Sequence, residues 1–268
     1  MITVIVGDFY IFGVAPYHFF AGLGLLAAVF PATLVMLHKG EDLRWFGWQL
    51  VLSLLGLLGG GRFFGLLVEV LNALYEGRNL TLEDIGRSAF VAYGGILGFL
   101  LVYRLVLRWL KKHKGALINE KAQLDVLAVF IPLFHGVARL GCLFTGCCYG
   151  KEYSGPLSVC YVRPTGTQCC IPVQLIEAVC LMLIFGSMLT LFCKKMLAGR
   201  LVSIYLAAYA ACRFFLEFMR GDLVRGVYFG ISFSQIVSLL LLFSLLFFYW
   251  RQKRKMHPST SDRVIKGL

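Results

Sequence analysis

The residues of this chain best placed to do chemistry are three arginines inside or at the ends of apolar stretches: Arg62, Arg139 and Arg213. A guanidinium at bilayer depth costs roughly 2.5–3.5 kcal/mol on insertion scales, so each one asks for a function or a partner. Arg213 opens the run Arg213-Phe-Phe-Leu-Glu217-Phe-Met-Arg220-Gly-Asp222. The i, i+4, i+7 spacing predicts that Arg213, Glu217 and Arg220 share one helical face. Two cations against one acid leave a positive strip, and guanidinium forks match phosphate oxygens in pairs. Arg139 stands in Phe134-His-Gly-Val-Ala-Arg139-Leu-Gly141-Cys142, which continues to Gly146-Cys-Cys-Tyr-Gly150. Its small neighbours permit close backbone approach around a fixed cation. A third element is Tyr93-Gly94-Gly95. The plain structural reading is that these arginines snorkel to an interface or pair with Glu69, Glu177 or Glu217. That reading suits Arg62 best, because it follows Gly59-Gly60-Gly61 near a helix end.

The elements that must hold these groups are hydrophobic. The chain is 59% hydrophobic and 15% charged, with mean hydropathy +0.79, whereas a soluble domain carries about a quarter charged residues. Seven apolar stretches stand out: Tyr17–Leu37, Phe46–Leu71, Ala89–Leu110, Leu124–Phe144, Val173–Phe192, Leu201–Met219 and Phe233–Trp250. About 20 apolar residues span a bilayer core. Backbone hydrogen bonds must close within lipid, and runs of this length without alternation are helices. The expected fold is therefore all-α, a polytopic integral membrane protein with about seven transmembrane helices in a single transmembrane domain over residues 1–268. The second span is expected to weaken or break at Gly59-Gly60-Gly61-Arg62. The first fifteen residues have no basic n-region, so the first span is expected to act as its own insertion signal.

Charge placement predicts the orientation. Arg and Lys crowd one set of segments: Lys39 and Arg44; Arg104 to Lys121; Lys194, Lys195 and Arg200; and the tail from Arg251. The other set holds only Arg78, Arg87, Lys151, Arg163, Arg220 and Arg225. The positive-inside rule puts the N-terminus outside and the C-terminus in the cytoplasm. Residues 146–172 then form a Cys-rich outward-facing loop, and residues 251–268 a basic cytoplasmic tail. The formal net charge of +12 reads as topology and affinity for membrane lipids, with no nucleic acid partner. All three chemical elements fall on the outer side. They imply a lipid-accessible cavity for a phosphate, and a phosphodiester lipid is the obvious anion at that depth.

There are nine cysteines. Cys180, Cys193 and Cys212 read as small apolar residues of helices. Cys142, Cys147, Cys148, Cys160, Cys169 and Cys170 cluster in and before the outward loop, where disulfides are expected. Vicinal pairs do not close on themselves, so each would bond across the loop with connectivity open, or all would stay reduced if the source is anaerobic. No CxxC spacing supports zinc, and no metal is expected. His135, four residues before Arg139, is an alternative base or a plain interfacial histidine. Thr81-Leu-Glu-Asp84 looks like a helix start, making Leu74–Arg87 an interfacial helix or a solvated connector.

In these motifs the sequence resembles the bacterial phosphatidylglycerol–prolipoprotein diacylglyceryl transferases. The resemblance runs in order through Gly61-Arg62-Phe63-Phe64-Gly65, Tyr93-Gly94-Gly95, Gly136 to Gly150, Pro172-Val-Gln174-Leu-Ile-Glu177, Arg213-Phe214 with Glu217 and Arg220, and Ser232-Phe-Ser-Gln235. It implies transfer of a diacylglyceryl group from phosphatidylglycerol to the lipobox cysteine of a prolipoprotein signal peptide, in the bacterial cytoplasmic membrane. Glycerol 1-phosphate would leave. Arg139 and Arg213 would neutralise the phosphate, with Tyr93 as third catalytic residue. Gly94, Gly95, Gly141, Cys142, Gly150, Gln174, Glu177, Glu217 and Arg220 would bind substrate. No cofactor is implied. The chain departs from the family in three places. Tyr93 replaces a histidine, Cys142 an asparagine, and Cys147 an acidic residue. These departures leave the acceptor and the base open, with Tyr93 either a base or an orienting hydrogen-bond donor, and Cys142 a conceivable relay thiol. The alternatives are a related enzyme using the same donor with another acceptor, and a non-enzymatic lipid transporter. No inverted repeat supports the transporter.

Overall fold

The computed structural model describes residues 2–5, 10–88, 90–114, 119–163, 166–221, 227–228 and 230–256. Asp222, Arg225 and the tail beyond Met256 lie outside the described residues, as do the side chains of Arg87 and Arg163. Seven helices are long and apolar enough to cross a membrane. They are α1 (Pro16–His38), α2 (Leu43–Glu76), α4 (Ala92–Lys114), α5 (Glu120–Thr145), α6 (Val173–Cys193), α7 (Leu201–Leu216, extended by a 3-10 turn Glu217–Met219) and α8 (Phe233–Met256). Large apolar side chains such as Leu26, Phe30, Leu55, Leu183, Phe243 and Leu246 point outward. That is the arrangement lipid requires and water does not allow.

Local chemistry sets the ends. Asp42 accepts from the Arg44 amide at the start of α2, and Asn119 accepts from the Ala122 amide at the start of α5. Gly77 ends α2 and Gly146 ends α5, both at φ 68°, a left-handed conformation that glycine adopts without a Cβ penalty. Against expectation, the glycine run does not interrupt α2, which continues for 34 residues. At 1.5 Å per residue this helix is about 51 Å long, more than the roughly 30 Å of a bilayer core. The reason is packing: Gly60 and Gly94 present backbone to backbone, and a Cβ on Gly94 would also sit 2.6 Å from Phe64 Cβ. The glycines are thus the contact between α2 and α4.

Helix α5 is the centre of the bundle. It packs on α1 through Gly141, where a Cβ would lie 2.9 Å from the Tyr17 Cα, and through stacked Phe20 and Phe144 rings 5.3 Å apart. It packs on α6 along Gly136, Leu181 and Ala178. Its buried Asp125 accepts hydrogen bonds from the amides of Gly199 and, at 3.1 Å, Leu201. Those amides open α7 and have no partner within the helix. Asp125 therefore ties the start of α7 to α5 at one end of the bundle. At the other end both helices carry their arginines. Beside Asp125, Tyr103 donates to Gln123 at 2.9 Å, and Gln123 donates to Glu41 at 2.8 Å, which closes this end of the bundle.

The all-α expectation omitted a small sheet. Strands β1 (Ile2–Ile5), β2 (Val159–Arg163) and β3 (Gly166–Cys170) form it, with β1 parallel and β3 antiparallel to β2. A two-residue hairpin pairs β4 (Val227–Tyr228) with β5 (Ile231–Ser232). The 146–172 loop is thus a folded cap with Val159, Tyr161 and Cys170 buried beneath it. Cys160 and Cys169 face each other across β2 and β3 and form a disulfide. Cys142, Cys147, Cys148 and Cys170 are not in disulfides, which corrects the expectation of general cross-loop pairing. The connector after α2 contains a short helix α3 (Leu82–Arg87), started by a capping box between Thr81 and Asp84.

Candidate active site

Arg139 near the end of α5, Glu177 near the start of α6 and Arg213 near the end of α7 converge at one end of the bundle. All three are buried, Glu177 and Arg213 to 1% exposure. Arg139 Nη2 donates to Glu177 Oε1 at 2.9 Å, and Arg213 Nη1 donates to Glu177 Oε2 at 3.3 Å. One carboxylate therefore bridges two guanidiniums from two other helices. Arg213 Nη2 also lies 2.7 Å from Glu217 Oε2, an ion pair by distance whose angle falls short of a hydrogen bond. Tyr209 donates to Glu177 Oε1 at 3.2 Å, and His135 Nε2 stands 4.0 Å from the same oxygen.

Donors remain at this junction. Arg139 Nε and Arg213 Nη2 are buried without a hydrogen-bond acceptor among the described residues. Buried donors are ordinarily satisfied, so leaving two on neighbouring cations is unusual. Around these donors Arg139 and Arg213 stand against Glu177 and Glu217. An anion with several oxygens would satisfy these donors.

Tyr93 on α4 does not touch the bridge directly. Its hydroxyl lies 2.6 Å from Ser238 Oγ, and Ser238 donates to the Ser234 carbonyl at 2.8 Å. Its ring packs 5.4 Å from the Tyr209 ring, and His135 meets that ring from 5.2 Å. Tyr93 therefore joins α4 to α8 and reaches the arginines through Tyr209. Gly94 and Gly141 are accounted for by helix contacts, and Gly95 lies against Phe90, which a Cβ would approach to 3.0 Å.

The Arg213, Glu217, Arg220 face does not persist to its end. Glu217–Met219 tightens into a 3-10 turn, and Arg220 leaves it extended, at φ −73° and ψ 142°. Arg220 instead forms an isolated bridge with Gly150, and the Lys151 amide donates to the Met219 carbonyl at 2.9 Å. The spacing fixed the Arg213–Glu217 pair, but the helix ends before Arg220. Gly150 allows this crossing, since a Cβ would come within 2.7 Å of Ile171 and Val173. Gln174 donates to the Cys147 carbonyl at 2.6 Å and to the Tyr161 hydroxyl at 3.0 Å, pinning the loop above the site. Arg62 stays apart, with Nη1 donating to the Ser88 carbonyl at 3.0 Å.

Cys142 Sγ lies 4.0 Å from Arg139 Nη1. The sulfurs of Cys142, Cys147 and Cys148 lie within 4.8 Å of one another. Hydrogen bonding with Cys142 and Cys148, together with burial, pushes the Cys147 thiol well above its ordinary pKa. Tyr209, Ser238 and Asp125 were not anticipated. Tyr205, Tyr209, Arg213 and Glu217 recur every four residues along one span, a spacing that could have pointed to Tyr209.

A family model for prolipoprotein diacylglyceryl transferase matches residues 5–251. The chain is 28% identical to a phosphatidylglycerol–prolipoprotein diacylglyceryl transferase 2 of Clostridium perfringens, covering 97% of this chain and 99% of that one. It is 29% identical to the phosphatidylglycerol–prolipoprotein diacylglyceryl transferase of Clostridium tetani, over 90% of this chain and 95% of the relative. With that of Campylobacter lari it shares 31% identity over 70% of this chain and 65% of the relative. Nearly the whole bundle, both arginines and the carboxylate between them fall within the matched region, and the chain belongs to the prolipoprotein diacylglyceryl transferase family.

Proposed function

We propose that the chain transfers a diacylglyceryl group from phosphatidylglycerol to the lipobox cysteine thiol of a prolipoprotein, with Arg139 and Arg213 as the phosphate-holding pair. The observation that carries this reading is the Glu177 bridge with its two unsatisfied buried donors. A lipid phosphate has oxygens for Arg139 Nε and Arg213 Nη2. In the reaction the thiolate sulfur forms a bond to the glyceryl carbon. The bond from that carbon to the phosphate oxygen breaks, and glycerol 1-phosphate leaves. Charge grows on the departing phosphate, and fixed guanidiniums in a dry site stabilise it without reorganising.

The acceptor thiol must lose its proton to react. His135 supports the role of base better than Tyr93, because it lies 4.0 Å from Glu177 whereas the Tyr93 hydroxyl is engaged with Ser238. Cys142 and Glu217 lie beside the two arginines, Gln174 holds the loop after α5, Gly150 pairs with Arg220, and Gly94, Gly95 and Gly141 hold the helix contacts. The excess of basic residues in the loops at the opposite end supports a position for this site toward the outer face of a bacterial cytoplasmic membrane. The test is purified protein with phosphatidylglycerol and a lipobox peptide, following glycerol phosphate release and peptide mass. A peptide heavier by one diacylglyceryl group supports the reading. Phosphate release with an unmodified peptide would move the acceptor elsewhere.

A further inference from the structure

The thiols beside Arg139 form a second chemical group that the transfer reaction does not require. Helix α5 ends in a left-handed turn at Gly146, where the Cys147 amide donates back to the Cys142 carbonyl at 3.2 Å. That turn folds Cys147 over Cys142, with Cys147 Sγ 3.8 Å from the Cys142 carbonyl oxygen. Cys148 follows at φ 60°, a conformation that costs a non-glycine residue roughly 1–2 kcal/mol. Neighbours hold the chain there: Gln174 grips the Cys147 carbonyl, and the Gly150 amide donates to Ile171 at 2.9 Å. The result is three sulfurs, none in a disulfide, within 4.8 Å of one another. Sulfurs around a metal in trigonal geometry, with bonds of about 2.3 Å, lie about 4.0 Å apart. Side-chain rotation alone covers the difference.

We propose that Cys142, Cys147 and Cys148 form a three-thiolate site for a soft, thiophilic cation, with Cu(I) the ion that fits an all-sulfur set of three. Thiolates select such ions over harder ones, and no other His, Cys, Asp or Glu joins the group among the described residues. Binding breaks three S–H bonds, releases three protons to water and forms three sulfur–copper bonds, with no change of oxidation state. The loaded cluster is anionic, and Arg139, with Nη1 4.0 Å from Cys142 Sγ, supplies the counter-charge. A guanidinium engaged there is drawn from Glu177 and from a lipid phosphate, so copper loading slows transfer. That consequence rests on the reading of Arg139 given under the proposed function.

The test is anaerobic titration of the full-length protein in detergent with Cu(I) held by a chromogenic chelator. One copper per chain is expected, with sulfur-to-copper absorption in the ultraviolet. Cys147→Ser alone should weaken binding by about 100-fold, since even partners outside the coordination shell are worth up to that much. The triple Cys142→Ser, Cys147→Ser, Cys148→Ser variant should lose it, with its thermal unfolding followed to confirm a folded chain. The Cys160→Ser, Cys169→Ser variant should keep it. Stoichiometry far below one, or copper retained by the triple variant, overturns the site. Copper-loaded, chelator-washed wild-type protein should transfer at least about tenfold more slowly, as expected when a held charge is diverted, and a Cys147→Ser, Cys148→Ser variant, which keeps Cys142, should transfer at the same rate before and after copper treatment. Unchanged transfer in the loaded protein overturns the coupling to Arg139, whereas absence of transfer in copper-free protein would count against the proposed function instead.

Discussion

Exchanging Glu177 for Gln keeps the side-chain volume and removes the one charge that Arg139 and Arg213 share. The carboxylate oxygens lie 2.9 and 3.3 Å from the two guanidiniums, in a site with almost no solvent. At an effective dielectric of about 20, each such pair is worth about 4 kcal/mol before desolvation is counted. Desolvation offsets much of that, yet removing one partner of a buried pair still costs about 3–5 kcal/mol, because the other charge is stranded. Here Arg139 loses its carboxylate, while Arg213 keeps Glu217 at 2.7 Å. Thermal unfolding of the Glu177→Gln protein should therefore fall by several degrees in discs of zwitterionic lipid. In phosphatidylglycerol the deficit should shrink, since a lipid phosphate enters between the arginines and replaces the lost charge. Unfolding within about 0.5 kcal/mol of the parent in both lipids, the range of an ordinary surface substitution, would refute this reasoning. An equal deficit in both lipids would retain the triad as structure and refute the phosphate site.

Arg213→Lys preserves the charge but loses the fork that reaches Glu177 and Glu217 together, so transfer should fall by about 10²–10³, the range for one lost transition-state donor, with little change in unfolding. Asp125→Ala removes the acceptor for the first amides of α7; it should cost about 1–3 kcal/mol and lower the transfer rate from the far end of the bundle, as unfolding and steady-state kinetics would read. The capping-box carboxyl of Asp84 is held below its ordinary pKa by the Thr81 hydroxyl and amide and then by Arg78. A lowered folded pKa gives stability that is complete above the unfolded value of about 3.9 and is lost as pH falls through the folded value. Exchange protection of α3 amides, corrected for intrinsic rates, should thus be flat from pH 7 to 5 and drop only in stronger acid.

The arginine pair was readable because a charge inside an apolar run has few physical excuses, and the structure gives Arg139 and Arg213 a shared partner in Glu177. Arg62, equally conspicuous in sequence, donates to the Ser88 backbone carbonyl and stands apart from the bridge. Spacing misplaced Arg220 because nothing before Gly221 signals that the helix tightens and opens at Glu217. The sheet was not legible because β2 pairs with β1, more than 150 residues earlier in the chain, and strands this short carry little periodicity. The thiol cluster escaped a search for CxxC because a left-handed turn, not spacing, closes it. Tyr209 carries no sequence signal of its own, although its hydroxyl touches Glu177.

The central claim is that Arg139 and Arg213 hold the lipid phosphate during transfer. Its most direct test measures peptide diacylglycerylation and phosphatidylglycerol binding side by side in the parent, Arg139→Ala and Arg213→Ala proteins, each shown folded by thermal unfolding. The account predicts modification by the parent, loss of it in both variants and weaker binding of the anionic lipid in each. Folded variants that still modify the peptide at the parent rate would contradict it.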